Sequence, residues 1–199
     1  MVNRTLILAS ASPRRRAILA RFALPFTVCQ TSAREICLQE DPVRTVAANA
    51  AAKAEACRAD HPDAWIIAAD TLVWFRGHLL GKPRDREEAA SFLRAFSGKT
   101  QTVYTGLALV APGERCACRI EASSLTFRLL GEEDIQRYID RVNPLDRAGA
   151  YDINERGEWL IESFHGSYSN IMGLPSGPVH DWLVSQGFTP APAGEEPRF

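Results

Sequence analysis

The chain has 199 residues, of which 46% are hydrophobic and 24% charged, and its formal net charge is -1. This is the composition of an ordinary soluble globular protein, and the near-neutral charge excludes an overall field that attracts nucleic acid or an acidic membrane. We therefore expect neither as a partner, and any basic site must be local. The opening "MVNRTLILAS" is too short in its apolar part for a signal peptide, and no run is long enough to span a membrane. We expect a cytoplasmic protein.

A short apolar strand over residues 5–10 leads into the first predicted helix. Ser12 and Pro13 mark the helix start, because serine caps free N–H groups and proline fits the first helical position. The arginines at 14–16 then fall in the first turn, although cations prefer the opposite end of the helix dipole. Arginine donors beside free helix amides form a phosphate site, which would remove this repulsion. Solvated surface arginines are the alternative, and this stretch alone favours neither.

The remaining pattern of apolar runs and turn residues predicts helices and strands in alternation. In order, we expect a strand at 25–30, a helix at 42–59, a strand at 64–75 with a hairpin return at 79–83, and a helix at 85–98. These are followed by strands at 100–112 and 118–130, a helix at 131–142, a loop at 144–157, a strand at 158–167 and a helix at 175–187. Hairpins and crossovers together predict an α/β fold with a mixed sheet. No repeat or linker divides the chain, so we predict one domain over 1–188 and a disordered, proline-rich tail over 189–199.

The five cysteines include no C-x-x-C pair, so we expect no disulfide framework. Cys116 and Cys118 lie near a hairpin end, and two thiols fall short of the roughly four ligands of a zinc site. The four histidines are scattered, and we interpret them all as surface or structural residues.

Four charged residues stand in unusual surroundings. Asp70 follows the apolar run "AWIIAA", which would present it at the rim of the sheet, and burying it is costly unless it is paired or metal-bound. Lys53 interrupts a face of alanines, Lys82 lies in the turn "GKP", and Glu35 lies in a segment without periodicity. Each alone has an ordinary explanation, as a strand-end cap, a surface lysine, a turn lysine or a loop acid. Together with the arginines, they suit Mg²⁺ or Mn²⁺ and attack of water on a phosphate chain.

Several motifs in the same order make the chain resemble the Maf family of nucleoside triphosphate pyrophosphatases. "SASPRRRAIL" resembles its opening S-x-S-P-R-R motif, Glu35 matches its acidic position, and Lys53 in "AAAKAEA" matches its helical lysine. "AADTLV" and "GKPRD" match its D-T and K-P motifs, and "PLDRAGAY" and "GSYSNIMGLP" match two late segments. The resemblance runs from about Leu6 to Gly187.

This resemblance implies an elongated α/β fold like that of inosine triphosphatases, with a mixed sheet flanked by helices and a nucleotide cleft between two lobes. It implies hydrolysis of a nucleoside triphosphate to the monophosphate and pyrophosphate, a divalent metal cofactor (Mg²⁺ or Mn²⁺) and a homodimer. The site residues carried over are Ser10, Ser12, Arg14 and Arg15 for the phosphates, and Asp70, Glu35, Lys53 and Lys82 for catalysis.

The two carboxylates have roles that the sequence leaves exchangeable. Our hypothesis makes Asp70 the general base and Glu35 a metal ligand, with Asp70 also a candidate ligand. The alternative from another class is a non-catalytic nucleotide-binding regulator of cell division and septum formation. A pure binder needs the cations but not both carboxylates, which favours the enzyme.

Three positions sort substrates within the family, and here they are Arg14, Thr71 and Asn154. The first two match the form that prefers dTTP and UTP. The third is usually glutamine in that form, and Asp152 stands where it usually has glycine. An amide offers both a donor and an acceptor to a pyrimidine edge. We therefore expect a dTTP or UTP preference that is weaker than glutamine would give.

Overall fold

The computed structural model describes residues 4–192 and residue 194, and its elements follow the predicted alternation. The strands are β1 (Leu6–Leu8), β2 (Thr27–Val28), β3 (Trp65–Phe75), β4 (His78–Leu80), β5 (Thr100–Val110), β6 (Ala117–Phe127) and β7 (Ile161–His165). The helices are α1 (Pro13–Ala20), α2 (Pro42–Asp60), α3 (Arg86–Phe96), α4 (Glu132–Arg141), α5 (Gly157–Leu160), α6 (Tyr168–Ile171) and α7 (Ser176–Ser185). Two 3-10 turns, Pro144–Asp146 and Ala148–Ala150, precede α5.

All of these strands belong to one mixed sheet, in the order β2-β1-β3-β5-β6-β7 with β4 paired to β3. β1 runs parallel to β2 and β3, and the other pairs are antiparallel. The predicted α/β fold with a mixed sheet is confirmed. Within residues 4–192 and 194, no helix has both the length and the apolar composition that crossing a bilayer requires.

One edge of β3 changes its partner along its length and leaves a gap. β1 pairs with Trp65–Ile67 and β4 pairs with Val73–Phe75, while β5 follows the opposite edge from Ile66 to Trp74. Over residues 68–72, no strand in the described chain pairs with the edge of β3 that β1 and β4 occupy. We call this gap the strand gap.

Successive side chains of β3 point to opposite faces of the sheet, and each face carries its own core. On one face, Ile66 and Ala68 pack with alanines of α2, and Gly106 of β5 allows this helix to approach closely. A Cβ at Gly106 would lie 2.3 Å from the carbonyl oxygen of Val46. On the other face, Ile67 belongs to the larger core, which also includes residues of α1, α3, α4 and α7.

The last third of the chain differs from the prediction in two places. The expected loop at 144–157 contains the two 3-10 turns, and the first part of the expected strand at 158–167 is helix α5. Gly157 and Leu160 are both buried, a three-residue spacing that fits a helical turn rather than a strand. In the predicted tail, the N–H of Ala191 donates to the carbonyl of Phe22 over 2.8 Å. Residues 193 and 195–199 of that tail lie outside the described residues.

Candidate functional site

Asp70 lies in the middle of β3 and not at its end, which corrects the sequence prediction. The strand continues because "TLVWF" is rich in residues that favour strands. Asp70 lies beside the strand gap, because β1 ends at Leu8, opposite Ile67, and the gap begins there. Asp70 therefore lies where β3 has no neighbouring strand on one edge, and its side chain is 14% exposed.

The structure brings Glu35, Lys53 and Asp70 together on the α2 face of the sheet. Lys53 Nζ lies 2.7 Å from Glu35 Oε1 and 2.7 Å from Asp70 Oδ1. The second oxygen of Asp70 accepts a hydrogen bond from Asn49 Nδ2 over 3.0 Å. Lys53 and Asp70 are both largely buried, whereas Glu35 is more than half exposed. The Lys53 ammonium thus holds two carboxylates from distant segments together beside the strand gap.

Thr71 is the neighbour of Asp70 and faces the opposite side of the sheet, where it contacts Arg15. Arg15 donates through Nη2 to Thr71 Oγ1 (3.0 Å), through Nη1 to Ser10 Oγ (3.2 Å) and through Nε to the carbonyl of Gly173 (2.8 Å). Burial lowers the pKa of the Arg15 guanidinium, and the negative charge of Asp70 opposes this shift. Because an arginine stays protonated in proteins, Arg15 places a fixed positive charge beside the strand gap.

The predicted helix start is confirmed, and its arginines diverge. Ser12 caps α1 by accepting from the N–H of Arg15 over 3.5 Å. Arg16 is exposed, and Arg14 turns toward the later part of the chain, where its Nη1 donates to Asp152 Oδ2 over 3.0 Å. This divergence follows from the spacing of about 100° between successive helical residues.

Asp152 is a buried carboxylate with several donors around it. Its Oδ2 also lies 3.0 Å from Arg147 Nε, and its Oδ1 accepts from the N–H of Asn154 over 3.0 Å. Asn154 itself is exposed, and its Oδ1 accepts a hydrogen bond from the hydroxyl of Tyr168. Asp152 therefore organises the loop that carries Asn154.

Two cavities adjoin at these side chains. The smaller, of about 180 Å³, is lined by Arg15, Thr71 and Tyr151 among others, and the larger, of about 790 Å³, is lined by Asn154 and Tyr168 among others. Both share a polar wall made of Ser12, Arg14, Lys82, Asp146 and Asp152. Lys82 is exposed and forms an ion pair with Asp146, and both side chains belong to the wall that the two cavities share.

The carboxylates Glu35 and Asp70 are the residues that fit a divalent cation. Mg²⁺ is commonly held by one or two carboxylates together with substrate phosphates, and the oxygens of Glu35 and Asp70 already converge on a cation, the Lys53 ammonium. Nowhere in the described ranges do three or more His, Cys, Asp or Glu side chains form a ready metal cage. The donor set therefore suits an ion that arrives with the phosphates.

Sequence reasoning missed four residues that hold this site together. Gly173 orients Arg15, Asp146 pairs with Lys82, and Arg147 supports Asp152. These three lie within the motifs "PLDRAGAY" and "GSYSNIMGLP", but loop residues give no periodic signal that would single them out there. Asn49 could have been noticed, because it lies four residues before Lys53 on the same alanine-rich helical face.

Comparisons with known proteins agree on a family. The family model described as Maf-like protein matches residues 5–186. A dTTP/UTP pyrophosphatase of Deinococcus radiodurans is 46% identical over 170 residues, which cover 85% of this chain and 86% of that protein. Another, from Akkermansia muciniphila, is 42% identical over 92% of this chain and 96% of that protein.

Among solved structures, the Ham1 protein of Staphylococcus aureus superposes with a TM-score of 0.54 and 12% identity. The match covers 92% of this chain and 100% of that one. At this identity the likeness concerns the fold alone.

Proposed function

This chain belongs to the family of Maf-like proteins, and on that premise we propose that it is a nucleoside triphosphate pyrophosphatase that prefers dTTP and UTP. The observation that carries the proposal is the Lys53 ammonium held between Glu35 and Asp70 beside the strand gap. Together with Arg15 on the opposite face of the sheet, this set provides carboxylates that can bind water and a metal ion, and cations that can bind a phosphate chain.

In the proposed reaction, Asp70 accepts a proton from water as the water oxygen attacks the α-phosphorus. The bond from the α-phosphorus to the bridging oxygen breaks, and pyrophosphate leaves with that oxygen. Each carboxylate oxygen of Asp70 already accepts one hydrogen bond and has a second lone pair for this proton. Lys53, Lys82 and Arg15 balance the charge that develops on the leaving group, and Ser10, Ser12 and Arg14 bind phosphate oxygens.

Glu35 and Asp70 would hold the divalent cation, Mg²⁺ or Mn²⁺. When bound, the metal supplies Lewis-acid polarisation of the phosphoryl oxygens. The exposed Glu35 is the ligand that can turn toward an ion arriving with the nucleotide, because more than half of its side chain is accessible. Asp70 is more enclosed, which suits a group that must receive a proton at a fixed position.

The deciding experiment incubates the protein with Mg²⁺ and dTTP, UTP, CTP or 7-methyl-GTP, and measures pyrophosphate and orthophosphate separately. We expect pyrophosphate and monophosphate in equal amounts, fastest from dTTP or UTP. Orthophosphate as the first product would contradict the proposal. Nucleotide binding without release of either product would favour the non-catalytic regulator of division.

Family membership also supports a homodimer and a cytoplasmic location as parts of this proposal. Light scattering at micromolar concentration tests the first part. A single species at 22.0 kDa, the mass of one chain, would contradict the dimer.

A further inference from the structure

Helix α2 presents a row of polar side chains to the segment that carries Glu35. Thr45, Asn49 and Lys53 follow one another at four-residue spacing, so they lie on the same helical face. They contact that segment in reverse order, Thr45 at Leu38, Asn49 at Ile36 and Lys53 at Glu35. Residues 29–38 contain no helix or strand, so these side chains supply the hydrogen bonds that a neighbouring strand would otherwise supply.

Asn49 is the member of this row that joins two parts of the site. Its Oδ1 accepts from the N–H of Ile36 over 2.8 Å, and its Nδ2 donates to the carbonyl of the same residue over 3.0 Å. The same Nδ2 donates to Asp70 Oδ2 over 3.0 Å. Ile36 directly follows Glu35. The side-chain amide of Asn49 therefore fixes both the backbone beside the Glu35 carboxylate and one oxygen of the Asp70 carboxylate.

The three contacts call for the chemistry of asparagine. They require one acceptor and two donors at the end of a short side chain, which is the set that a carboxamide provides. Aspartate would place acceptors against the Ile36 carbonyl and the Asp70 carboxylate, and leucine would leave all of these groups unpaired. Because Asn49 is only 4% exposed, water cannot readily replace the lost bonds.

We propose that Asn49 is a positioning residue that sets the separation and orientation of Glu35 and Asp70 for pyrophosphate release. This inference rests on the proposed function. Without Asn49, Lys53 still attracts both carboxylates, but a flexible ammonium stem does not fix their directions. The segment at 35–38 then shifts relative to β3, and misplacement of a reacting group by about 1 Å can lower a rate by about 10²-fold.

Thr45 provides the matched control. Its hydroxyl accepts from the N–H of Leu38 over 3.1 Å and is as buried as Asn49, but its described hydrogen bonds are to Leu38 and Asp41 and not to Asp70. Thr45→Val therefore removes the contact at Leu38, the end of the segment away from Glu35, and leaves the contacts of Asn49 with Ile36 and Asp70 in place. A loss of turnover that follows from looser packing alone would appear in both variants.

The experiment compares kcat and KM for dTTP with Mg²⁺, together with thermal unfolding, in the full chain and in the variants Asn49→Leu and Thr45→Val. For Asn49→Leu we expect kcat to fall about 10- to 100-fold while KM changes by less than about threefold. For Thr45→Val we expect a lower melting temperature with kcat within about threefold of the unaltered protein. If Asn49→Leu does not fold, Asn49→Ser, which retains a small hydroxyl, is judged by the same values.

Two results would overturn the inference while leaving the proposed function intact. One is a folded Asn49 variant with kcat within about threefold of the unaltered enzyme, and the other is an equal loss of kcat in Thr45→Val. The proposed function fails separately, if the unaltered protein releases no pyrophosphate.

Discussion

The carboxylate of Asp152 accepts a hydrogen bond from the guanidinium of Arg14, with 3.0 Å between Oδ2 and Nη1. Arg14 lies in the first turn of α1, and Asp152 lies in a loop 138 residues later. The bond therefore ties the start of α1 to the loop that carries Asn154. It also balances the charge of an arginine that the sequence predicted as a free phosphate ligand.

Asp152→Asn is expected to destabilise the protein and loosen this connection. The amide keeps one acceptor but removes the charged partner of Arg14 and one of the carboxylates that pair with Arg147, at a cost of about 1–3 kcal/mol. The melting temperature should fall by roughly 2–4 °C for each kcal/mol. Glu155→Gln is the control, because Glu155 also pairs with Arg147 but is exposed, and its change should stay within about 0.5 kcal/mol. Equal effects of the two changes would contradict a special role for Asp152.

Asp70→Asn is expected to lower kcat by about 10²–10⁴-fold in a folded protein, because an amide cannot accept the proton of water. Glu35→Gln should keep measurable turnover but require more Mg²⁺ for its half-maximal rate. The measurement is pyrophosphate release as a function of Mg²⁺, with circular dichroism to check folding. If added Mg²⁺ instead restores Asp70→Asn, and Glu35→Gln stays inactive, the roles of base and ligand are exchanged.

Arg15→Lys is expected to lower kcat/KM at least about 10-fold and to lower the melting temperature. The guanidinium donates in three directions, to Ser10, Thr71 and Gly173, and an ammonium on a flexible stem cannot reproduce this fork. Arg16→Lys is the matched control, because Arg16 is the next residue of the same helix and is exposed. Steady-state kinetics of both variants decide the question. Near-normal kinetics of Arg15→Lys would show that a single positive charge suffices there.

Asn154→Gln is expected to sharpen the preference for dTTP and UTP, and Asn154→Glu to weaken it. Asparagine has the same amide as glutamine with a shorter reach, and the Tyr168 hydroxyl holds its oxygen at the edge of the larger cavity. The measurement is kcat/KM for dTTP, UTP, CTP and 7-methyl-GTP. Tyr168→Phe, which frees the amide oxygen, should also change the ratios. If 7-methyl-GTP is the best substrate by about tenfold, or 1.4 kcal/mol, the specificity assignment of Arg14 and Thr71 is wrong.

Because the thiol of Cys57 is buried, we expect the protein to lose stability at alkaline pH. The thiol is buried, and burial together with the neighbouring Cys29 raises its pKa to about 12. An unfolded thiol ionises near pH 8.5, so both states are neutral below that pH and the contribution of Cys57 is fully present. Between about pH 8.5 and 12 the Cys57 thiol ionises only in the unfolded chain. The free energy of unfolding therefore falls by up to about 1.4 kcal/mol per pH unit.

Urea unfolding at pH 8 and pH 10 checks this prediction. Cys57→Ala should lose less stability between the two pH values than the unaltered protein, whereas Cys37→Ala should behave like the unaltered protein, because Cys37 is exposed. An equal loss in all three proteins would assign the alkaline effect to other groups. Burial also raises the pKa values of Tyr138 and Tyr151, which act in the same direction at higher pH.

Two of the residues that sequence analysis identified stand out against a regular background. Lys53 was visible because it interrupts alanines, and Asp70 because it interrupts an apolar strand. Their contact with each other was not visible, because it depends on how closely α2 approaches the sheet at Gly106. The pairing of Asp152 with Arg14 depends on a loop whose path has no local signal. Local patterns therefore predicted which groups matter, while the distances between them required the fold.

The strand gap has a further consequence for strand addition by other molecules. An unpaired strand edge is a template on which an extended segment of another molecule can add. Here the main-chain groups of residues 68–72 that point away from β5 form such an edge, enclosed at its two ends by β1 and β4. Short edges and inward-pointing charges are the usual protection against strand addition. Asp70 lies in the middle of this edge, and its carboxylate is the kind of charge that discourages strand addition there.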